Sequence, residues 1–302
     1  MNMSIDLCGV KLNNPVIAAS GCFGFGREMM AQYDLSTLGG IALKALTGEK
    51  RLGNPPPRIA ETPSGVLNAV GLQNPGVDAF IEKEVPLLKR INTVLFANAA
   101  GSTLDEYITV VEKLSHVDII DFIELNISCP NVKEGGVAFG AKPETIYDVV
   151  SKVKPYAKQP LIVKLTPNTL DIAQNAKAAE EAGADGISLI NTLLGMAVDA
   201  DTRRPIIANV TGGLSGPAVK PVALRMVYQA AQAVSIPIIG MGGIMTGRDA
   251  VEFLLCGATA VMAGTVNLVD PEGLPNIIAG IKEYMQQQGV EDVSELIGAL
   301  KV

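Results

Sequence analysis

Cys129 is the residue in this chain best placed to do chemistry. It follows the apolar run 121–128 and stands in Asn126-Ile127-Ser128-Cys129-Pro130-Asn131, flanked by two asparagines. Pro130 stops a strand and fixes the turn after it. Lys133-Glu134-Gly135-Gly136 then supplies a polar, flexible loop. A thiol at the mouth of a buried strand, with carboxamides beside it, could take a proton from a small polar ring. The same cysteine could also be a small buried hydrophobe. His116 is the only histidine, which leaves no multi-histidine metal site, and it reads as a surface residue between a helix-like stretch and a strand, which argues against a Ser-His-Asp triad. The base must be Cys, Lys, Asp, Glu or Tyr.

Lys44 and Lys164 each follow an aliphatic run, and a buried lysine is costly unless it meets an anion. That anion could be a carboxylate substrate, a phosphate or an electron-rich cofactor ring. Gly242-Gly243 and Gly264-Thr265 offer backbone N–H groups where a side chain would block approach. They suit a phosphate, or they serve tight turns.

These residues need a scaffold that gathers them. Eight continuous apolar runs, at 15–20, 41–44, 94–98, 122–127, 161–165, 186–191, 237–240 and 260–263, read as parallel strands covered on both faces. Helical patterns lie between them, at 218–234 with one apolar face and at 171–182 ending on Gly183. Strand and helix alternate eight times, which predicts a (β/α)8 TIM barrel in one domain over 1–302. The doubly wound alternative lacks Gly-x-Gly-x-x-Gly after the first strand; Gly21-Cys22-Phe23-Gly24-Phe25-Gly26 is spaced for a tight turn. In a barrel the strand C-termini form the active rim, and here they carry Ser20, Lys44, Asn98, Asn126, Lys164, Asn191-Thr192, Gly242-Gly243 and Gly264-Thr265. Segments 46–76 and 193–217 exceed plain connections and are expected to be binding loops or lids on that face.

Composition narrows the partners. The 302 residues are 48% hydrophobic and only 18% charged, which requires a large core. A net charge of -7 disfavours a phosphodiester backbone as ligand. No apolar run is long enough to span a membrane, and the N-terminus does not read as a secretory signal. Cys8, Cys22, Cys129 and Cys256 form no CxxC pair and read as reduced thiols of a cytoplasmic protein.

Three segments together resemble the FMN-dependent dihydroorotate dehydrogenases: Asn126 to Lys133, Asn68-Ala69-Val70-Gly71-Leu72-Gln73-Asn74-Pro75-Gly76, and Gly240-Met241-Gly242-Gly243-Ile244. The similarity runs from about Leu7 to Tyr284. Cysteine at position 129 resembles class 1, which uses a cysteine base, and the loop from Val132 to Gly140 resembles the NAD-linked type 1B catalytic subunit.

The resemblance implies one FMN per chain, held by Ser20, Lys44, Ala45, Asn98, Asn126, Lys164, Ile190, Gly216, Gly242, Gly243, Gly264 and Thr265. It implies a substrate held by Lys44, Asn68, Ala69, Val70, Gly71, Leu72, Asn126, Asn191 and Thr192. Ala45 departs from the Gly, Ser or Thr common there, so a backbone contact to FMN could survive and a hydroxyl contact could not. The implied reaction oxidises (S)-dihydroorotate to orotate in pyrimidine biosynthesis. Cys129 takes the C5 proton and hydride passes from C6 to flavin N5. Electrons then go to NAD⁺ through a partner subunit carrying FAD and a [2Fe–2S] cluster, in a heterotetramer of two plus two. Other readings are the fumarate-linked class 1A enzyme, a dihydropyrimidine dehydrogenase, a non-flavin phosphate-binding barrel and a non-catalytic scaffold subunit.

Overall fold

The computed structural model describes residues 1–128, 140 and 142–302. Eight strands close a barrel: β1 (Val16–Ala18), β2 (Gly40–Ala42), β3 (Val94–Ala99), β4 (Phe122–Asn126), β5 (Leu161–Lys164), β6 (Gly186–Leu189), β7 (Ile238–Met241) and β8 (Ala260–Ala263). Neighbours in space are neighbours in sequence, and every pairing is parallel. Nearly every strand residue is buried, which is why these strands read as unbroken apolar runs. Inside, Phe96 and Phe122 stack with centroids 4.4 Å apart.

The outer layer is α1 (Val77–Lys83), α2 (Val85–Leu88), α3 (Leu104–Ser115), α4 (Pro143–Val153), α5 (Ile172–Glu181), α6 (Lys220–Ala231), α7 (Gly247–Leu255) and α8 (Gly273–Gln288). Local chemistry sets their ends. The Asp171 carboxylate accepts from the N–H groups of Ala173 and Gln174 and starts α5. Thr246 and Asp249 form a reciprocal capping box on α7. Gly183 turns the chain out of α5 with φ +94°. The repeat is less regular than the sequence suggests. Between β1 and β2 the expected helix is replaced by two 3₁₀ turns, Met29–Ala31 and Leu35–Thr37. The expected helix at 218–234 is shorter, because Pro217–Val219 forms a 3₁₀ turn first.

An N-terminal hairpin, Ile5–Leu7 with Val10–Leu12, covers the end opposite the active rim. Its Leu7 and Leu12 are fully buried, and the Cys8 thiol donates to the Asp185 carbonyl at 3.2 Å, just before β6. Burial first, then the Asp185 and Asp6 carboxylates, push that thiol up to about 11.

On the rim the two long segments are neither open loops nor separate lids. Strands Ile59–Thr62, Gly65–Asn68, Thr211–Ser215 and Leu193–Met196 pair antiparallel into one four-stranded sheet. The close approach depends on Gly213: a Cβ there would lie 2.0 Å from the Thr192 hydroxyl oxygen. A second tie anchors the first segment to the barrel wall, where Arg51 pairs with Glu106 at 3.0 Å.

Candidate active site

The described residues expected to do chemistry fall on one end of the barrel. Ser20 follows β1, and Lys44 and Ala45 follow β2. Asn98 lies in β3, Asn126 ends β4, and Lys164 ends β5. Ile190, Asn191 and Thr192 follow β6, Gly242 and Gly243 follow β7, and Gly264 and Thr265 follow β8. Cys129 lies outside the described residues.

A run of side chains crosses this rim. Asn126 Nδ2 approaches Asn98 Oδ1 at 3.5 Å, and Ser128 Oγ donates to Asn126 Oδ1 at 2.7 Å. Asn191 Nδ2 donates to Ser128 Oγ, and the Thr192 N–H donates to Asn191 Oδ1 at 2.7 Å. Tyr107, fully buried on α3, donates its hydroxyl to the Asn126 carbonyl at 2.8 Å and pins the end of β4. The carboxamides at the ends of three strands thus stand in one connected row, which passes through Ser128, the residue before Cys129.

Beside that row lies a charged cluster. Glu124 is completely buried; its Oε2 accepts from the Asn98 amide and its Oε1 accepts from Ser188 Oγ at 2.7 Å. Lys164 Nζ lies 3.7 Å from the same carboxylate. Part of the anion that a buried Lys164 requires is therefore a glutamate of the chain itself. Cys22 is close to both lysines. Burial raises its pKa, while the Lys164 and Lys44 charges pull it back, so the group remains a thiol near neutrality. Its sulfur would lie 3.3 Å from a Cβ on Gly264, which joins the β1 and β8 ends.

The glycines line a third zone. A Cβ on Gly242 would lie 2.8 Å from Ala223 Cβ and 3.1 Å from Ile190. Gly243 has φ +77°, and a Cβ there would lie 2.8 Å from both the Gly216 carbonyl and the Lys220 nitrogen. Thr265 Oγ1 donates to Ser215 Oγ at 2.9 Å, which ties β8 to the rim sheet. Among the described residues none accepts from the backbone N–H groups of Gly242, Gly243, Gly264 or Thr265. Four amide donors from two neighbouring strands are the material of an anion cradle.

Asp249 braces this cradle from behind. It accepts from the Met245 and Thr246 N–H groups and pairs with Lys220 at 2.5 Å. Burial disfavours its charge, but the bonds from Lys220, Met245 and Thr246 outweigh that and hold its pKa below the usual carboxylate range. A depressed folded-state pKa stabilises the protein above the unfolded carboxylate pKa, and the benefit disappears as pH falls through the folded value. Asp249→Asn is expected to cost about 1–3 kcal/mol near neutral pH. The difference in melting temperature from wild type should close on acidification, and thermal melts across the acid range measure it.

Other expected residues bond outside the row. Ser20 donates its hydroxyl to the Leu43 carbonyl at 2.6 Å, within its own corner of the rim. Asn68 reaches the Gly213 carbonyl at 3.3 Å. Ala69, Val70 and Gly71 lie against Asn54, which donates its amide to the Ala69 carbonyl at 2.9 Å and its N–H to the Val70 carbonyl at 3.0 Å, and the Leu72 carbonyl accepts from Asn74. Asn74 is structural: its Oδ1 accepts from the Thr47 and Gly76 N–H groups and its amide donates to Thr47 and Leu72. The expectations omitted Glu124, Ser128, Ser188 and Asn168. Glu124 carried a signal, as the one charge inside the apolar run 122–127. Asn168 carried none; it braces the rim by donating to the Thr192 carbonyl at 3.1 Å and accepting from the Leu194 N–H at 2.9 Å.

Comparison with known proteins gives the family. Residues 2–285 match the family model described as dihydroorotate dehydrogenase. The chain is 58% identical over 300 residues to the protein of Alkaliphilus metalliredigens named dihydroorotate dehydrogenase B (NAD(+)), catalytic subunit, covering 99% of each. Relatives of the same name from Thermoanaerobacter pseudethanolicus and Geobacillus kaustophilus are each 54% identical, the first covering 100% of both chains, the second 98% of this chain and 95% of its own. Among solved structures, the Eimeria tenella dihydroorotate dehydrogenase in complex with ferulenol superposes with a TM-score of 0.84 at 22% identity, over 99% of this chain and 88% of that one, and so shares the fold. The chain belongs to the dihydroorotate dehydrogenase family.

Proposed function

We propose that this chain is the catalytic subunit of an NAD-linked dihydroorotate dehydrogenase that oxidises (S)-dihydroorotate to orotate. The carrying observation is the row Asn98–Asn126–Ser128–Asn191–Thr192 beside Lys164 and Lys44. Asparagine both donates and accepts, so three carboxamides can match a ring of alternating N–H and C=O groups. Lys44 supplies a cation for the substrate carboxylate.

The residues present fit FMN. The phosphate would meet the N–H groups of Gly242, Gly243, Gly264 and Thr265, where side chains would leave no room. Ile190 and Gly216 line the same cradle, and Ala45 leaves only its backbone to contribute. Asn98 and Lys164 stand where the ring system would lie, with a cation to offset its charge when reduced. Bound FMN supplies the acceptor, at N5, for hydride from C6 of the substrate. Cys129 takes the proton from C5. The asparagines hold the ring in place for that transfer, and the rim sheet limits access of water.

The relatives' common name supports NAD⁺ as final acceptor and a separate electron-transfer subunit. The reading gives that subunit FAD and a [2Fe–2S] cluster in a two-plus-two heterotetramer, working in the cytoplasm. Among the described residues no helix is long and apolar enough to cross a membrane, and no cluster of His, Cys, Asp and Glu could hold a metal.

The purified chain should be yellow and should bleach anaerobically with dihydroorotate. It should then reduce an artificial acceptor rapidly and NAD⁺ poorly until the partner is added. A colourless protein, or preference for a dihydrouracil over dihydroorotate, would overturn the assignment. Efficient NAD⁺ reduction by the isolated chain would remove the partner from it.

A further inference from the structure

Glu124 has no part in the reaction just described, yet it is the most deeply buried carboxylate at the rim. It stands two residues before Asn126 in β4, so both side chains leave the same face of the strand. A buried charge is retained only where it is paired and hydrogen-bonded. Glu124 has three such partners from three other strands: the Asn98 amide from β3, the Ser188 hydroxyl from β6 at 2.7 Å, and Lys164 from β5 at 3.7 Å. The Asn98 carbonyl oxygen faces Asn126 Nδ2, which leaves the Asn98 NH₂ end for Glu124. Donors meet both carboxylate oxygens. Among the described residues Glu124 is the one carboxylate within ion-pair distance of Lys164.

We infer that Glu124 is a positioning residue that partly neutralises Lys164 and so limits how strongly that cation favours a negatively charged flavin. The inference rests on the FMN reading above. A lysine beside the ring stabilises added negative charge, and an opposite charge close to that lysine weakens the field it exerts. The pair thus holds the flavin less oxidising than Lys164 alone would make it. The same bonds hold Lys164 and Asn98 in place, so removing the charge while keeping the shape separates the two effects.

The test uses the FMN-loaded chain and sulfite, whose addition to the flavin puts negative charge on the ring. Glu124→Gln is nearly isosteric; it deletes the charge and exchanges one acceptor oxygen for an NH₂ donor. It should bind sulfite about tenfold or more tightly, equivalent to about 1.4 kcal/mol, and its two-electron potential should rise. Glu124→Asp keeps a carboxylate and should stay close to wild type on both readouts. If Glu124→Gln holds FMN but binds sulfite within twofold of wild type, Glu124 is only structural and the inference is wrong. If the glutamine variant does not fold, a reduced-minus-oxidised infrared difference spectrum of the wild-type holoprotein with isotope-labelled glutamate decides. Perturbed carboxylate bands support the inference; a protonated carboxyl, or no glutamate signal, overturns it. A wild-type chain that binds no flavin would instead sink the reading on which the inference depends.

Discussion

Cys129→Ala should keep its yellow flavin and lose about 10²- to 10⁴-fold in the rate of bleaching by dihydroorotate, the usual worth of a positioned base. FMN should be retained because the residues proposed for its phosphate follow β7 and β8, and the substitution leaves them unchanged. Stopped-flow absorbance measures the loss directly. The wild-type rate should also rise with pH through the alkaline range. An ordinary thiol has a pKa of about 8.5, only its thiolate accepts a proton, and raising the pH populates that form. The alanine variant should lose this dependence. Wild-type rates in Cys129→Ala would exclude the thiol as base.

Gly243→Ala should release FMN. At φ +77° an alanine is strained by about 1–3 kcal/mol, and its Cβ would have to share space with the Gly216 carbonyl and the Lys220 nitrogen, each 2.8 Å away. Relief requires the β7 turn to move, and that turn offers the N–H groups proposed for the phosphate. FMN affinity should fall at least about fivefold, which is the lower end of that strain expressed as binding. Fluorescence titration of the apoprotein measures it. Riboflavin, which lacks the phosphate, serves as the control and should lose less. Equal losses for both ligands would mean that the turn shapes the ring site instead of the phosphate site.

Much of the fold was legible. All eight barrel strands lie within the runs read from the sequence or one residue from them, because a parallel strand covered on both faces has no polar alternation to disguise it. The missing first helix was not legible: Gly21, Gly24 and Gly26 all take positive φ and lead into 3₁₀ turns. The rim sheet was hidden for a different reason. Gly65–Asn68 pairs with Thr211–Ser215 across about half of the chain, and each alone reads as a glycine-rich loop. Asn74 shows the limit of motif reading, since it sits in a family segment yet spends its polar atoms on Thr47, Leu72 and Gly76.

The sequence by itself determined which groups reach the rim: each is the polar residue at the end of an apolar run, and a barrel brings all such ends to one side. Only the tertiary structure decided who meets whom there. Asn98 stands across from Glu124, and Lys164 lies between Asn126 and Ser188, because closing eight strands sets a register between residues far apart in the chain. No local periodicity encodes that register. The buried Glu124–Lys164 pair therefore emerges only once β4 and β5 are in register.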